Sequence, residues 1–275
     1  MTATIEEPAR AGDGEVPVPA RRAVAAEWSK AVANRSTWWA YGILAGLVVG
    51  FSAFMATASR TEPPGGFGDE DIVANALGGA IVGVIAAAVI GATSLGSEYG
   101  SGMISATFAA TPRRHRVLLA KAAIVGTGTT VVAIPAVFVG FLVARPVQRD
   151  RGFVAPGYPD PHVMSEPVLR AIVGTGVLLG LVALLALGVA AIVQRTAAAI
   201  PITIGLVVVP AMLAQGELEA TLQRWTPLAG FAIQHTRDRH DYHAGPWHGL
   251  AVLATYALLA LAAGLVTLRR RDVTG

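Results

Sequence analysis

Apolar stretches long enough to cross a bilayer alternate along this chain with short polar ones. The apolar runs cover residues 36–58, 72–95, 117–143, 168–193, 197–214 and 247–268. A helix rises about 1.5 Å per residue, so about 20 residues cross a hydrocarbon core of about 30 Å. Each run therefore predicts one transmembrane helix, and the pattern predicts an all-α, polytopic membrane protein with six spans between residues 36 and 271. Residues 21–35 differ: they have helical composition, with Val24, Trp28 and Val32 at spacings of four. That spacing predicts an amphipathic helix lying in the membrane interface. Trp38, Trp39 and Tyr41 then mark the headgroup level. Gly42, Gly46 and Gly50 give the first span a small-residue face suited to close helix contact, and Pro135 predicts a kink in the third. Residues 1–20 are acidic and rich in Pro and Gly, lack the pattern of a cleavable signal, and predict a disordered cytoplasmic tail.

An even number of spans puts both termini on one side, and charge decides which side. Segments 1–35, 96–116 with Lys121, 194–196 and 269–275 hold 13 Lys/Arg against 7 Asp/Glu. The remaining connections, Arg170 included, hold 8 against 11. The basic set belongs in the cytoplasm, so an N-in, C-in orientation is expected, with 59–71, 144–167 and 215–246 outside. Composition supports the membrane reading: 53% of residues are hydrophobic and only 14% charged, against about 25% charged in soluble domains. The net charge of +3 does not imply nucleic acid, because the basic residues flank spans instead of forming one stripe.

The chemistry missing from the spans narrows the function. No ionisable side chain occupies the middle of a predicted span, although proton relays and ion sites are built from such groups. Lys121 and Arg170 lie near span ends, within snorkelling reach of the interface. Ser94, Thr127, Thr129, Thr130 and Thr175 have no acidic or basic partner in their layer and read as packing hydroxyls that bond back to their own helices. This disfavours a membrane enzyme, which needs a paired acid and base or an activated nucleophile. The chain has no cysteine and no phosphate loop of the form G-x-x-x-x-G-K-[ST]. His235, His240 and His243, with Asp241 among them and His248 beyond, are the richest set of possible metal ligands. Their spacing fits no metal motif and predicts surface histidines on a polar outer loop. No catalytic, cofactor-binding or metal-binding residue is expected.

The most distinctive stretch is EYGSGMISATFAATPRRHRVLLAK, Glu98 to Lys121. Gly100 and Gly102 let the backbone turn after the second span, and Met103 to Ala110 is a compact, mostly small and apolar segment. Thr111-Pro112 opens a basic helix, with proline tolerated in its first turn. Its arginines project from the membrane surface, and Lys121 returns to the interface. The stretch is either an orientation signal or a docking element for a soluble partner. It resembles the signature of permease subunits of ABC-2-type ATP-binding-cassette transporters, especially the small six-span permeases of high-GC Gram-positive bacteria. Glu98, Tyr99, Gly102, Met103, Thr111, Pro112, Arg113, Arg114 and Lys121 carry the resemblance. It extends over about residues 21–271, through Glu27-Trp28-Ser29-Lys30 near the start and Trp225-Thr226-Pro227-Leu228-Ala229-Gly230 in the last outer segment.

The resemblance implies the transmembrane subunit of an ATP-driven exporter in a bacterial cell membrane. A six-helix permease domain over 36–271 would form the substrate path as a dimer, with itself or with a sibling permease, surrounded by membrane lipids. ATP and magnesium would be bound and hydrolysed on a separate ATP-binding subunit, so this chain would be no enzyme. Glu98, Tyr99, Gly102, Thr111, Pro112, Arg113, Arg114, Arg116 and Lys121 would couple it to that subunit. Family substrates include drugs, antibiotics, lipids and other amphiphiles, which makes resistance one expected outcome. The competing reading is a non-transporting membrane scaffold or sensor that docks a soluble partner through the same 96–116 loop.

Overall fold

The computed structural model describes residues 20–58, 71–100, 114–150, 164–213, 224–236 and 245–270. Every regular element among them is helical. In chain order they are α1 (Ala20–Ala33), α2 (Arg35–Ala58), α3 (Ile72–Ala76), α4 (Ala80–Gly100), α5 (Arg114–Asp150), α6 (Glu166–Val193), α7 (Thr196–Leu213), a 3₁₀ helix (Pro227–Gln234) and α8 (His248–Arg270). Four helical stretches are long and apolar enough to cross a membrane: Arg35–Ala58, His115–Asp150, Glu166–Val193 and His248–Leu268. The apolar stretches Ala80–Gly96 and Thr196–Pro210, in α4 and α7, are shorter. These apolar helices mark the chain as membrane-embedded, and large exposed side chains such as Trp39, Val131 and Leu258 give the bundle an apolar exterior.

Helix α6 is the axis of the bundle, with α4, α5, α7, α8 and the 3₁₀ helix all packed on it. It is rich in Leu, Ala, Val and Gly on every side, and an all-round apolar helix belongs in an interior. Along α5 and α6 the contacts run in opposite order, Gly126 against Leu184 and then Ile134 against Gly176, so these helices are antiparallel. Along α6 and α8 the order is the same, Gly188 against Ala260 and Ala191 against Gly264. At Gly188 a Cβ would stand 2.7 Å from the α8 backbone, so the small residue sets how closely these two helices approach.

The expected span over 72–95 is broken. Asp71 caps α3 by accepting from the Val73 and Ala74 N–H groups. The chain then tightens through Leu77–Gly79, where the Gly78, Ala80 and Ile81 N–H groups each bond three residues back. This stretch packs tightly on α2: a Cβ on Gly79 would sit 2.0 Å from the Val48 carbonyl oxygen. The glycine lets the chain entering α4 press on the α2 backbone, which a residue with a side chain there could not do.

Other boundaries move less, with two exceptions. Helix α5 extends to Asp150 and contains Pro135 and Pro146, well past the expected end at residue 143. At 37 residues and about 1.5 Å per residue it is longer than a hydrocarbon core is thick. Within the expected outer segment 215–246, residues Pro227–Gln234 fold into the bundle, with Ala229, Gly230 and Ile233 buried against α6 and α8. On α2, buried residues are confined to Leu44, Val48, Ser52 and Ala56, one stripe at spacings of four. Gly42, Gly46 and Gly50 lie off that stripe, with nothing within 4 Å of where a Cβ would stand. The expected small-residue contact face is therefore open within this chain.

Candidate functional site

The end of the bundle where α1 sits holds the two described ends of the Glu98–Lys121 stretch. The last turn of α4 carries the backbone of Glu98 and Tyr99, and α5 starts at Arg114. Arg116 is half-buried in the first turn of α5. Gly102, Met103, Thr111, Pro112 and Arg113 lie outside the described residues. A small apolar cluster of Leu95, Leu118, Leu187, Ala191, Leu261 and Leu268 ties the ends of α4, α6 and α8 to the start of α5.

Helix α1 is held against this end by charge. It ends at Ala33, and Asn34 accepts from both the N–H and the hydroxyl of Ser36, which starts α2 in a new direction. The inward side of α1 presents Glu27, whereas Val24, Trp28 and Val32 are exposed. The Glu27 carboxylate takes Lys30 Nζ on Oε1 and Lys121 Nζ on Oε2, each at 2.8 Å. The Glu27 and Lys121 side chains are 8% and 7% exposed, and Lys30 is 45% exposed. Lys121 thus turns inward to α1 instead of snorkelling to solvent. Burial pushes the Glu27 carboxyl up, but the ammonium groups of Lys121 and Lys30 outweigh it and hold it below its ordinary value. A buried ion pair is costly to desolvate, so it survives only with such close geometry.

Beside the pair lies a cleft of about 460 Å³ between α1, α2, α4 and α5. Lys30, Asn34, Ser36 and Thr37 line one wall, and Ile90, Ile124 and Val125 face them. Thr93 and Ser94 also line it, but their hydroxyls bond back to Val89 and Gly91 carbonyls. Thr127, Thr130 and Thr175 do the same within their helices. These hydroxyls serve the backbone and have no activated-nucleophile geometry.

At the opposite end, a polar knot joins segments far apart in sequence. Asp71 accepts from the Thr236 N–H and hydroxyl, and His235 Nδ1 stands 4.0 Å from its Oδ2. Gln148 donates to the Ile72 carbonyl and to Asn75 Oδ1. Arg170 reaches the His235 carbonyl at 3.0 Å instead of snorkelling. His248 lies apart, with Nε2 3.2 Å from the Arg224 carbonyl, and His240 and His243 lie outside the described residues. Among the described residues no three His, Cys, Asp or Glu gather as a metal site.

The sequence argument named Lys121 but missed the partners that define its place. Glu27 and Lys30 carried a signal, since opposite charges three apart face each other on a helix. No local pattern links Glu27 to Lys121. In comparisons with known proteins, no family model matches the chain and no curated protein matches it.

Proposed function

We propose that this chain is the membrane-spanning subunit of an ATP-driven exporter, an ABC-2-type permease with six crossings and both termini in the cytoplasm of a bacterial cell. ATP and magnesium bind to a separate subunit, and amphiphiles such as drugs, antibiotics or lipids are the substrate class. One observation carries the reading furthest. Two stretches of the family resemblance, Glu27–Lys30 and the segment ending at Lys121, meet in one buried ion pair. A partner that moves the 101–113 segment would move the end of α4 and the start of α5. Through Lys121 and Glu27 it would also move α1. Such a linked set of elements is what force transmission from a soluble motor requires.

The test is reconstitution with an ATP-binding protein encoded beside this chain. The complex should show substrate-stimulated ATP hydrolysis, and the permease alone should show none. Glu98→Ala and the double variant Arg113→Ala/Arg114→Ala should reach the membrane at normal levels yet lose stimulation. Arg269→Ala, which also removes positive charge, should keep it. A hydrogen-bonded charge pair at an interface is worth about 2–5 kcal/mol when one partner is truncated, enough to abolish coupling. Full stimulation in both central variants would reduce the segment to an orientation signal. A stable complex that never couples to hydrolysis would favour the scaffold or sensor.

A further inference from the structure

We propose that the 3₁₀ helix Pro227–Gln234 is a hinged plug, latched by Asp71, whose release opens a slot between α6 and α8. Near the end of the bundle that holds α1, these two helices touch directly, with Gly188 against Ala260 and Gly264 against Ala191. Toward the other end the 3₁₀ helix stands between them. A Cβ on its Gly230 would lie 3.2 Å from Leu178 of α6 and 3.4 Å from Leu253 of α8. Gly174 of α6 meets Ile233, and Gly249 of α8 meets the Ala229 carbonyl, each too closely for a side chain of its own. The plug therefore fills a gap that two helix backbones leave open for it.

Two features make this filling a moving part. The first is internal. Bonds in a 3₁₀ helix have poorer geometry than those of an α-helix, and runs beyond three or four residues are uncommon, yet this one has eight. The second is that its ends are held by different elements. Before the plug the chain is tied to α8: the Tyr256 hydroxyl donates to the Trp225 carbonyl, and His248 Nε2 stands 3.2 Å from the Arg224 carbonyl. At its far end the ties go to α3 and α6. Gln234 donates to the Leu77 carbonyl, Arg170 donates to the His235 carbonyl, and Asp71 accepts from the N–H and the hydroxyl of Thr236. The Asp71 side chain is 7% exposed and also caps α3, so it fastens the plug to a part of the bundle that α8 does not hold. Freed at this end, the plug swings on its α8 ties and uncovers α6 at Gly174, which has no side chain to retain it.

The experiment reads exposure of the plug in the purified full chain, without an ATPase, so its outcome is separate from that of the exporter reading. Ile233, on the plug, is fully buried. Ile233→Cys gives a chain without cysteine a single thiol there, and a bulky hydrophilic maleimide should label it slowly. Asp71→Asn keeps an oxygen to cap α3 but replaces the carboxylate oxygen that accepts the Thr236 N–H. Labelling of Ile233→Cys should then rise about tenfold or more, the worth of one charge-assisted hydrogen bond. Thr236→Val, which loses the hydroxyl and keeps the N–H, should give a smaller rise. Leu187→Cys, at an equally buried position toward the α1 end of α6, should label slowly with either residue at 71. No rise at Ile233→Cys in the Asp71→Asn chain would overturn the proposal. So would an equal rise at Leu187→Cys, the mark of a bundle that loosens as a whole.

Discussion

Glu27 and Lys121 bury their charges against each other at 2.8 Å. Lys121→Met would leave a carboxylate in a dry site with only the more exposed Lys30 to balance it, at a cost of about 3–5 kcal/mol. Converting both, Glu27→Gln with Lys121→Met, should cost clearly less than the single changes added together, and unfolding in detergent measures this coupling. Acid acts on the same pair. The Glu27 carboxyl is held below its ordinary value of 4.5. Its contribution to stability is therefore complete above that value and is lost as pH falls through the lower folded value. Because the native chain has no cysteine, Ala31→Cys can report on docking. Its reactivity, divided by that of an exposed reference cysteine at the same pH to remove the common fall in thiolate, should stay flat from neutral pH to about pH 5 and rise below 4.5. The i, i+3 half of this arrangement was legible in the sequence. The other half was not, because both charges look like ordinary interfacial residues and 94 positions separate them.

Helices in this bundle approach through glycines, and the effect of a methyl group depends on which face carries it. Gly79→Ala drives a Cβ into the Val48 carbonyl, a backbone atom that cannot rotate away. It should destabilise by about 1–3 kcal/mol or more, as overpacking does. Gly46→Ala meets nothing within 4 Å and should leave the melting temperature of the purified chain unchanged or slightly raised. The apolar runs announced the helices themselves, with most ends within two or three residues. The break at Leu77–Gly79 was hidden because the run is apolar throughout, and the close approach of Gly79 to the α2 backbone leaves no local mark in the sequence. The prolongation of α5 was hidden because Arg145, Pro146 and Gln148 read locally as loop, whereas Gln148 is held by α3 at Ile72 and Asn75. The 3₁₀ helix does carry a signal in the sequence: PLAGFAIQ is too apolar for a solvated loop.

At the scale of the molecule, the two halves of the charge count predict which loops meet water on which side. With cysteine placed at Gly65, Ala155 or Ala109, one per variant, an impermeant thiol reagent should label the first two in intact cells and spare the third until the membrane is opened. The reverse pattern would invert the topology on which the exporter reading depends. The separation of Glu27 from Lys121 also sets a clock. Chains are synthesised at about 5–20 residues per second, so Lys121 emerges some 5–20 seconds after Glu27. Throughout that interval the carboxylate has only Lys30 beside it and must stay at the hydrated surface of the membrane. Nascent chains halted before residue 121 should keep α1 accessible to protease, and chains halted after α5 has inserted should protect it. Helix α1 is thus fastened by α5, made well after it, and the order of synthesis is not the order of assembly.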